Sequence, residues 1–119
     1  MTETPNSKHY DLEERTLEYA RRVRRYVKNL SKTQGNLEDG KQLIRSSGSI
    51  GANYIEANES LSKKDFLMRI KICRKEAKES RYWLDLTEPL LEREQEKTNL
   101  IHEATEYVKI FNAIIEKSQ

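Results

Sequence analysis

Arg45-Ser46-Ser47-Gly48-Ser49-Ile50-Gly51-Ala52-Asn53-Tyr54-Ile55-Glu56 is the stretch on which the fold turns. Six of the seven residues from Ser46 to Ala52 are small, and two are glycine. A glycine inside a helix costs roughly 1 kcal/mol relative to alanine, so propensity alone reads a loop here. The spacing of the apolar residues reads otherwise. Leu43, Ile44, Ser47, Ile50, Gly51, Tyr54, Ile55 and Asn58 recur at steps of three and four and share one face of a 3.6-residue period. Small residues also let a neighbouring backbone approach closely, which returns the lost stability as packing. The stretch is therefore read as the middle of a helix running from about 37 to 58.

The same period extends outward. Leu12, Thr16, Tyr19, Ala20, Val23, Tyr26, Val27 and Leu30 line a first helix over about 11–30. Asp11, Glu13 and Glu14 fall in its first turn, where carboxylates suit the positive end of the helix dipole. Residues 1–10 read as a polar tail, and Ser31 to Asn36, with Gly35, as the first loop. Ser62 can cap a third helix over about 63–88, with Asp65 at the capping-box position. Phe66, Ile70, Cys73, Ala77, Ser80 and Leu84 form its inner stripe, and Pro89 ends it. After a charged connection over 92–97, a fourth helix covers about 98–116. Four amphipathic helices with short connections and no strand signal predict an all-α fold, an antiparallel up-down four-helix bundle forming one domain over 11–117.

Composition agrees. The chain has 119 residues, 35% charged and 35% hydrophobic, where a typical soluble domain has about a quarter charged and nearly half apolar. Four glycines and two prolines leave too little turn chemistry for a sandwich or barrel of many short strands. A core this lean points to wide solvated faces or to completion against a partner. The single cysteine, Cys73, cannot form an internal disulfide and suits a reducing compartment. Residues 1–10 lack a secretory apolar core, and no apolar run approaches the ~18 residues of a membrane span. The expected location is the cytoplasm, without membrane contact.

Catalytic readings fail on spacing. A di-iron bundle needs Glu-x-x-His pairs, but Asn6 and Asn99 stand three residues before His9 and His102. Cysteine and histidine are too few for zinc. Gly48 and Gly51 neither follow a strand nor precede a Lys-Ser/Thr pair, so no phosphate loop is present. Cys73 lies on the apolar stripe, as a core thiol does. No catalytic residue, metal or cofactor is expected.

Charge distribution is more informative than the net charge of +2. Arg15 to Lys32 holds seven basic residues and one acid, Glu18. Arg21, Arg24, Arg25 and Lys28 project away from the apolar face. Lys63 to Arg81 holds eight basic residues and three acids, with Lys64, Lys71, Lys75 and Lys78 on one ridge that Tyr82 continues. From Tyr82 to Gln119 the balance reverses to four basic and eight acidic. Clustered cations with nearby aromatics are what nucleic-acid binding requires. The competing reading is a solvated surface whose ridges pair with the acidic fourth helix.

Two further features bear on association. Arg45, Ser49, Asn53 and Glu56 lie opposite the apolar face of helix two, beside the small Ala52, and this back face can admit another helix or subunit. Met68, Ile72 and Trp83 flank the main stripe of helix three, either as an association surface or as the edge of a wide core stripe.

The segments Arg45 to Glu59, Ser62 to Phe66 and Lys71 to Leu84 resemble the four-helix-bundle family encoded in intervening sequences of bacterial 23S ribosomal RNA genes, also labelled S23 ribosomal protein-like. The likeness is closest over helices two and three and extends by pattern along the chain. Family members begin helix one with Phe-Glu-x-Leu followed by Trp. Tyr10-Asp11-Leu12-Glu13 without a tryptophan in that helix marks this chain as a variant. The resemblance implies an up-down bundle that assembles as a homopentamer, and no catalytic activity. It further implies kinship with the accessory variability protein of diversity-generating retroelements, which binds nucleic acid and a reverse transcriptase; the similarity there lies in architecture and in Arg81-Tyr82-Trp83-Leu84. It supports a polar network in which Arg45, Ser46, Ser49, Asn53 and Glu56 meet Arg74, Glu76 and Glu79 between helices or subunits, a structural role preferred over a ligand site.

The expected function is thus a non-enzymatic, self-associating bundle that binds RNA or DNA backbone through Arg21, Arg24, Arg25, Lys28, Lys64, Lys71, Lys75 and Lys78. The alternative is a protein–protein adaptor whose charges only maintain solubility.

Overall fold

The computed structural model describes residues 7–119, with side chains from residue 12 onward. The part of the expected polar tail over residues 1–6 lies outside the described residues, as does the side chain of Asp11. Four long helices follow in order: α1 (Ser7–Lys28), α2 (Gln34–Asn58), α3 (Lys63–Leu86) and α4 (Glu94–Ser118), the last preceded by a 3-10 turn over Leu91–Arg93. α1 packs on α2, α2 on α3, α3 on α4, and α4 closes back on α1. Among the described residues the diagonal pairs make no close backbone approach, as an up-down bundle requires.

The boundaries differ from the sequence reading at several points. α1 begins at Ser7, four residues before Asp11, so the acids at 13 and 14 are not in its first turn. α2 starts at Gln34 because Thr33, in extended conformation, accepts a bond from the amide of Asn36 at 3.1 Å. Ser62 caps α3 through the amide of Asp65 at 3.1 Å, as its sequence predicts. α3 stops at Leu86, not 88. Thr87 turns extended ahead of Pro89, and Lys97 Nζ donates to the carbonyls of Asp85 and Thr87 at the negative helix end. The supposed charged connection is largely helix. Glu94 and Glu96 lie in the first turn of α4, where acids are favoured, although no apolar period announces it.

The small-residue stretch is helical throughout, and two glycines of α2, Gly51 within it and Gly40 before it, serve close packing. A Cβ on Gly40 would meet Val27 Cγ1 at 2.9 Å, and one on Gly51 would meet Thr16 Oγ1 at 2.7 Å, so α1 lies directly against both. On the adjacent face α2 meets α3. Ser46 Oγ and Ser80 Oγ are 2.9 Å apart, and the Cys73 thiol points at the carbonyl of Ile50 at 3.4 Å. This α2–α3 seam is the most extensive in the bundle, and α1–α4 the least. The latter is filled by large aromatics. Tyr19 and Tyr107 meet edge to face at 5.3 Å, and Tyr19 Oη donates to the Leu100 carbonyl at 2.8 Å.

Candidate nucleic-acid interface

The ridge of α3 is laid out by helical spacing. Lys64, Lys71, Lys75, Lys78 and Tyr82 stand on the outward side, opposite Ile70, Cys73, Ala77 and Leu84, which are buried. All four lysines are exposed, and among the described residues none is in an ion pair. The nearby acids are occupied instead. Arg45 Nη2 on α2 lies 3.4 Å from Glu76 Oε1 and 2.9 Å from Glu79 Oε1. Glu76 is buried, so this arginine satisfies a carboxylate that the ridge would otherwise share.

The basic residues of α1 divide. Arg21, Arg24, Arg25 and Lys28 are all exposed, but Glu18 takes two of them, with Arg21 at 3.6 Å and Arg25 at 3.1 Å. Arg24 and Lys28 make no ion pair among the described residues. The acidic fourth helix pairs with residues outside the expected set. Glu103 accepts from Arg22 Nη1 at 2.6 Å and from Arg15 Nε at 3.3 Å, Tyr107 Oη donates to it at 2.6 Å, and Glu106 pairs with Arg15. Burial pushes the Glu103 carboxyl up, but bonds from Tyr107 and Arg22 and the two guanidinium charges outweigh it and hold the group below its usual range. The neutralising reading of the charge pattern thus describes Arg15 and Arg22, not the lysine ridge.

The expected polar network is not continuous. Ser46 joins Ser80; Asn53 donates to Ser49 Oγ at 2.9 Å and accepts from Arg69 Nη1 at 2.9 Å; and Arg45 binds the two glutamates. Arg74 turns away to α4, where it donates to Asn112 Oδ1 at 2.6 Å. Glu56 is exposed, and its carboxylate joins none of these groups. The reason for Arg74 is angular: it sits on the side of α3 that faces α4 rather than α2. Sequence reading also missed two hubs. One is Glu103. The other is Asn36, placed in a loop but buried, whose amide donates to the carbonyls of Ser31 and Glu88 and accepts from the Glu88 amide at 2.9 Å.

The apolar flanks are redistributed. Met68 is 50% exposed on the lysine ridge, whereas Ile72 is half-buried and Trp83 packs against the core. Ile55, placed on the buried face by its spacing, is 48% exposed. With Leu17, Ala20, Gly48, Gly51 and Ala52 it lines a groove of about 370 Å³ between α1 and α2, with Arg24 on its rim. Small residues on α2 make the groove, because no side chain fills the space outside Gly48.

Cys73 is buried, and burial pushes its thiol up to about 12, the state of a core packing group. Among the described residues there is no cluster of three or more His, Cys, Asp or Glu that would hold a metal ion, and no helix is long and apolar enough to cross a membrane.

The model of the family described as 23S rRNA-intervening sequence protein matches residues 8–113. A crystal structure of a protein with unknown function from the S23 ribosomal protein family of Bacteroides thetaiotaomicron is 34% identical to this chain. The superposition covers 92% of this chain and 98% of that one, with a TM-score of 0.77. No curated protein sequence matches. The spacing of the small residues in α2, the four-helix order and these two likenesses converge: the chain belongs to the 23S rRNA-intervening sequence protein family.

Proposed function

We propose that this protein is a non-catalytic, self-associating bundle of the cytoplasm that binds RNA or DNA through phosphate contacts from α3. The observation that carries the reading is the line of four exposed lysines, Lys64, Lys71, Lys75 and Lys78, with no ion pair among the described residues while adjacent acids are held by Arg45. Uncompensated cations in a row are what a polyanion displaces its counterions for. Arg24 and Lys28 lie on α1, diagonally across the bundle from α3, and offer a second, separate pair of cations; Arg21 and Arg25 contribute less because Glu18 neutralises them. Sequence preference should be slight, since no helix presents base-reading side chains in the manner of a recognition helix.

Fluorescence anisotropy with a labelled oligonucleotide across a salt series tests this. Contacts to three or four phosphates give a log–log salt slope of about −2 to −4. The variant Lys71→Glu/Lys75→Glu/Lys78→Glu should lose binding and flatten the slope while retaining its thermal unfolding midpoint. Absence of binding at low salt overturns the reading.

Self-association is assigned to the α1–α2 groove, where Leu17 and Ile55 are each 48% exposed beside small residues that admit a helix. Light scattering should return the mass of a pentamer, and Leu17→Glu should dissociate it; a monomer at micromolar concentration overturns this part. The same groove suits a helix of another protein, which is the adaptor reading. Capture of a defined protein by a monomeric bundle that is not retained on heparin or RNA would favour that alternative.

A further inference from the structure

The lysine ridge of α3 does not end in solvent. It runs into Tyr82, which is 59% exposed and held edge to face against Trp83, with ring centroids 5.0 Å apart and planes at 78°. Trp83 in turn packs against the core. A large aromatic face is thus presented to water on a fixed support, one helical turn beyond Lys78. From Lys71 to Tyr82 the ridge advances about 16 Å along the helix. Apolar surface is interleaved with it, by Met68 (50% exposed) between Lys64 and Lys71 and by Leu86 (46% exposed) one turn past Tyr82.

We infer that this ridge selects unpaired over duplex nucleic acid, with Tyr82 as the platform on which one base stacks. The inference rests on the phosphate-binding reading above and adds the class of strand. In a duplex the faces of the bases are stacked on one another, so a ridge that follows the phosphates finds no free base face for its aromatic to receive. A single strand lays its phosphates along the lysines and can turn a base onto the ring. Trp83 orders the tyrosine before binding, so less freedom is lost when the base arrives.

The test compares an unstructured single-stranded RNA with its own duplex, by anisotropy at one salt concentration, for the wild type, Tyr82→Ala and Tyr82→Phe. The wild type should prefer the single strand, and titration with it should change the fluorescence of Trp83, the chain's only tryptophan. Tyr82→Ala should weaken single-strand binding roughly ten-fold and leave duplex binding unchanged, whereas Tyr82→Phe, which keeps the ring, should bind as wild type. An unchanged unfolding midpoint establishes that Tyr82→Ala remains folded. Equal affinity for the two strands, or a Tyr82→Ala variant with undiminished single-strand affinity, overturns the inference and leaves the lysine reading intact. Failure to bind either strand, or sedimentation with anionic phospholipid vesicles in place of RNA, overturns both.

Discussion

A Cβ atom added at Gly51 would lie 2.7 Å from Thr16 Oγ1 and 3.2 Å from Thr16 Cβ, so the backbone of α2 touches the side of α1 at this point. Thr16 cannot easily give way: it is buried, β-branched, and bonded through Oγ1 to the carbonyl of Leu12 at 3.0 Å. Gly48, three residues earlier, has nothing within 4 Å of an added Cβ. The two glycines of one helix should therefore respond oppositely to alanine. Gly51→Ala should lose about 1–3 kcal/mol to overpacking, and Gly48→Ala should gain up to about 1 kcal/mol in helix propensity. Chemical denaturation of both variants checks the pair; stabilisation by Gly51→Ala would mean that the α1–α2 contact is looser than described.

Glu103 should make stability depend on acid pH. Its carboxyl titrates below the ordinary value of 4.5 in the fold. A depressed folded pKa contributes stability that is fully present above the unfolded value and lost as pH falls through the folded one. The contribution should thus be complete at pH 7 and decline below about pH 4.5. Glu103→Gln should cost roughly 1.5–3 kcal/mol at pH 7, the range for hydrogen bonds to a charged group. Denaturation curves of variant and wild type should converge as the pH is lowered; a difference that stays constant with pH would contradict the assignment.

Asn36 ties two loops together at one end of the bundle. Its side chain holds the Ser31 carbonyl at 3.0 Å and the Glu88 carbonyl at 3.1 Å, and it receives the Glu88 amide. Asn36→Ala should cost about 1–3 kcal/mol, because three part-buried hydrogen bonds between the two loops are lost. Asn36→Asp should recover only part, since a carboxylate can accept from the Glu88 amide but cannot donate to either carbonyl. Thermal unfolding of the two variants ranks them.

Cys73 should be inert in the folded protein. Its thiol is buried and raised to about 12, leaving almost no thiolate at pH 8. A disulfide reagent should label it only after unfolding, and prompt labelling under native conditions would show that the α2–α3 seam opens.

The fold was largely legible. Through Ser46 to Ala52 the three-and-four spacing outweighed poor helix propensity, because apolar periodicity reports burial, and burial against α1 and α3 is what holds this helix. Helix ends were less legible. Thr33 and Ser62 cap α2 and α3 in the same way, but only Ser62 stands after an evident break in the pattern. The first turn of α4 was hidden because Glu94-Gln95-Glu96-Lys97 is polar all round.

The candidate interface was legible as a line of residue types and illegible as a pattern of partners. Spacing along one helix places Lys64, Lys71, Lys75, Lys78 and Tyr82 on a common ridge, since that depends only on the 3.6-residue turn. Which acids neutralise which bases depends on how neighbouring helices rotate and slide against each other. That is why Glu103 takes Arg15 and Arg22 from 81 to 88 residues away, Arg45 takes Glu76 and Glu79, and Arg74 leaves the network for Asn112. The sequence alone determined four amphipathic helices and the segregation of charge among them, because both are periodic and local. Only tertiary packing decided which cations remain free, which apolar residues line the α1–α2 groove, and that Tyr82 is braced by Trp83, because each follows from the angle and contact between separate elements.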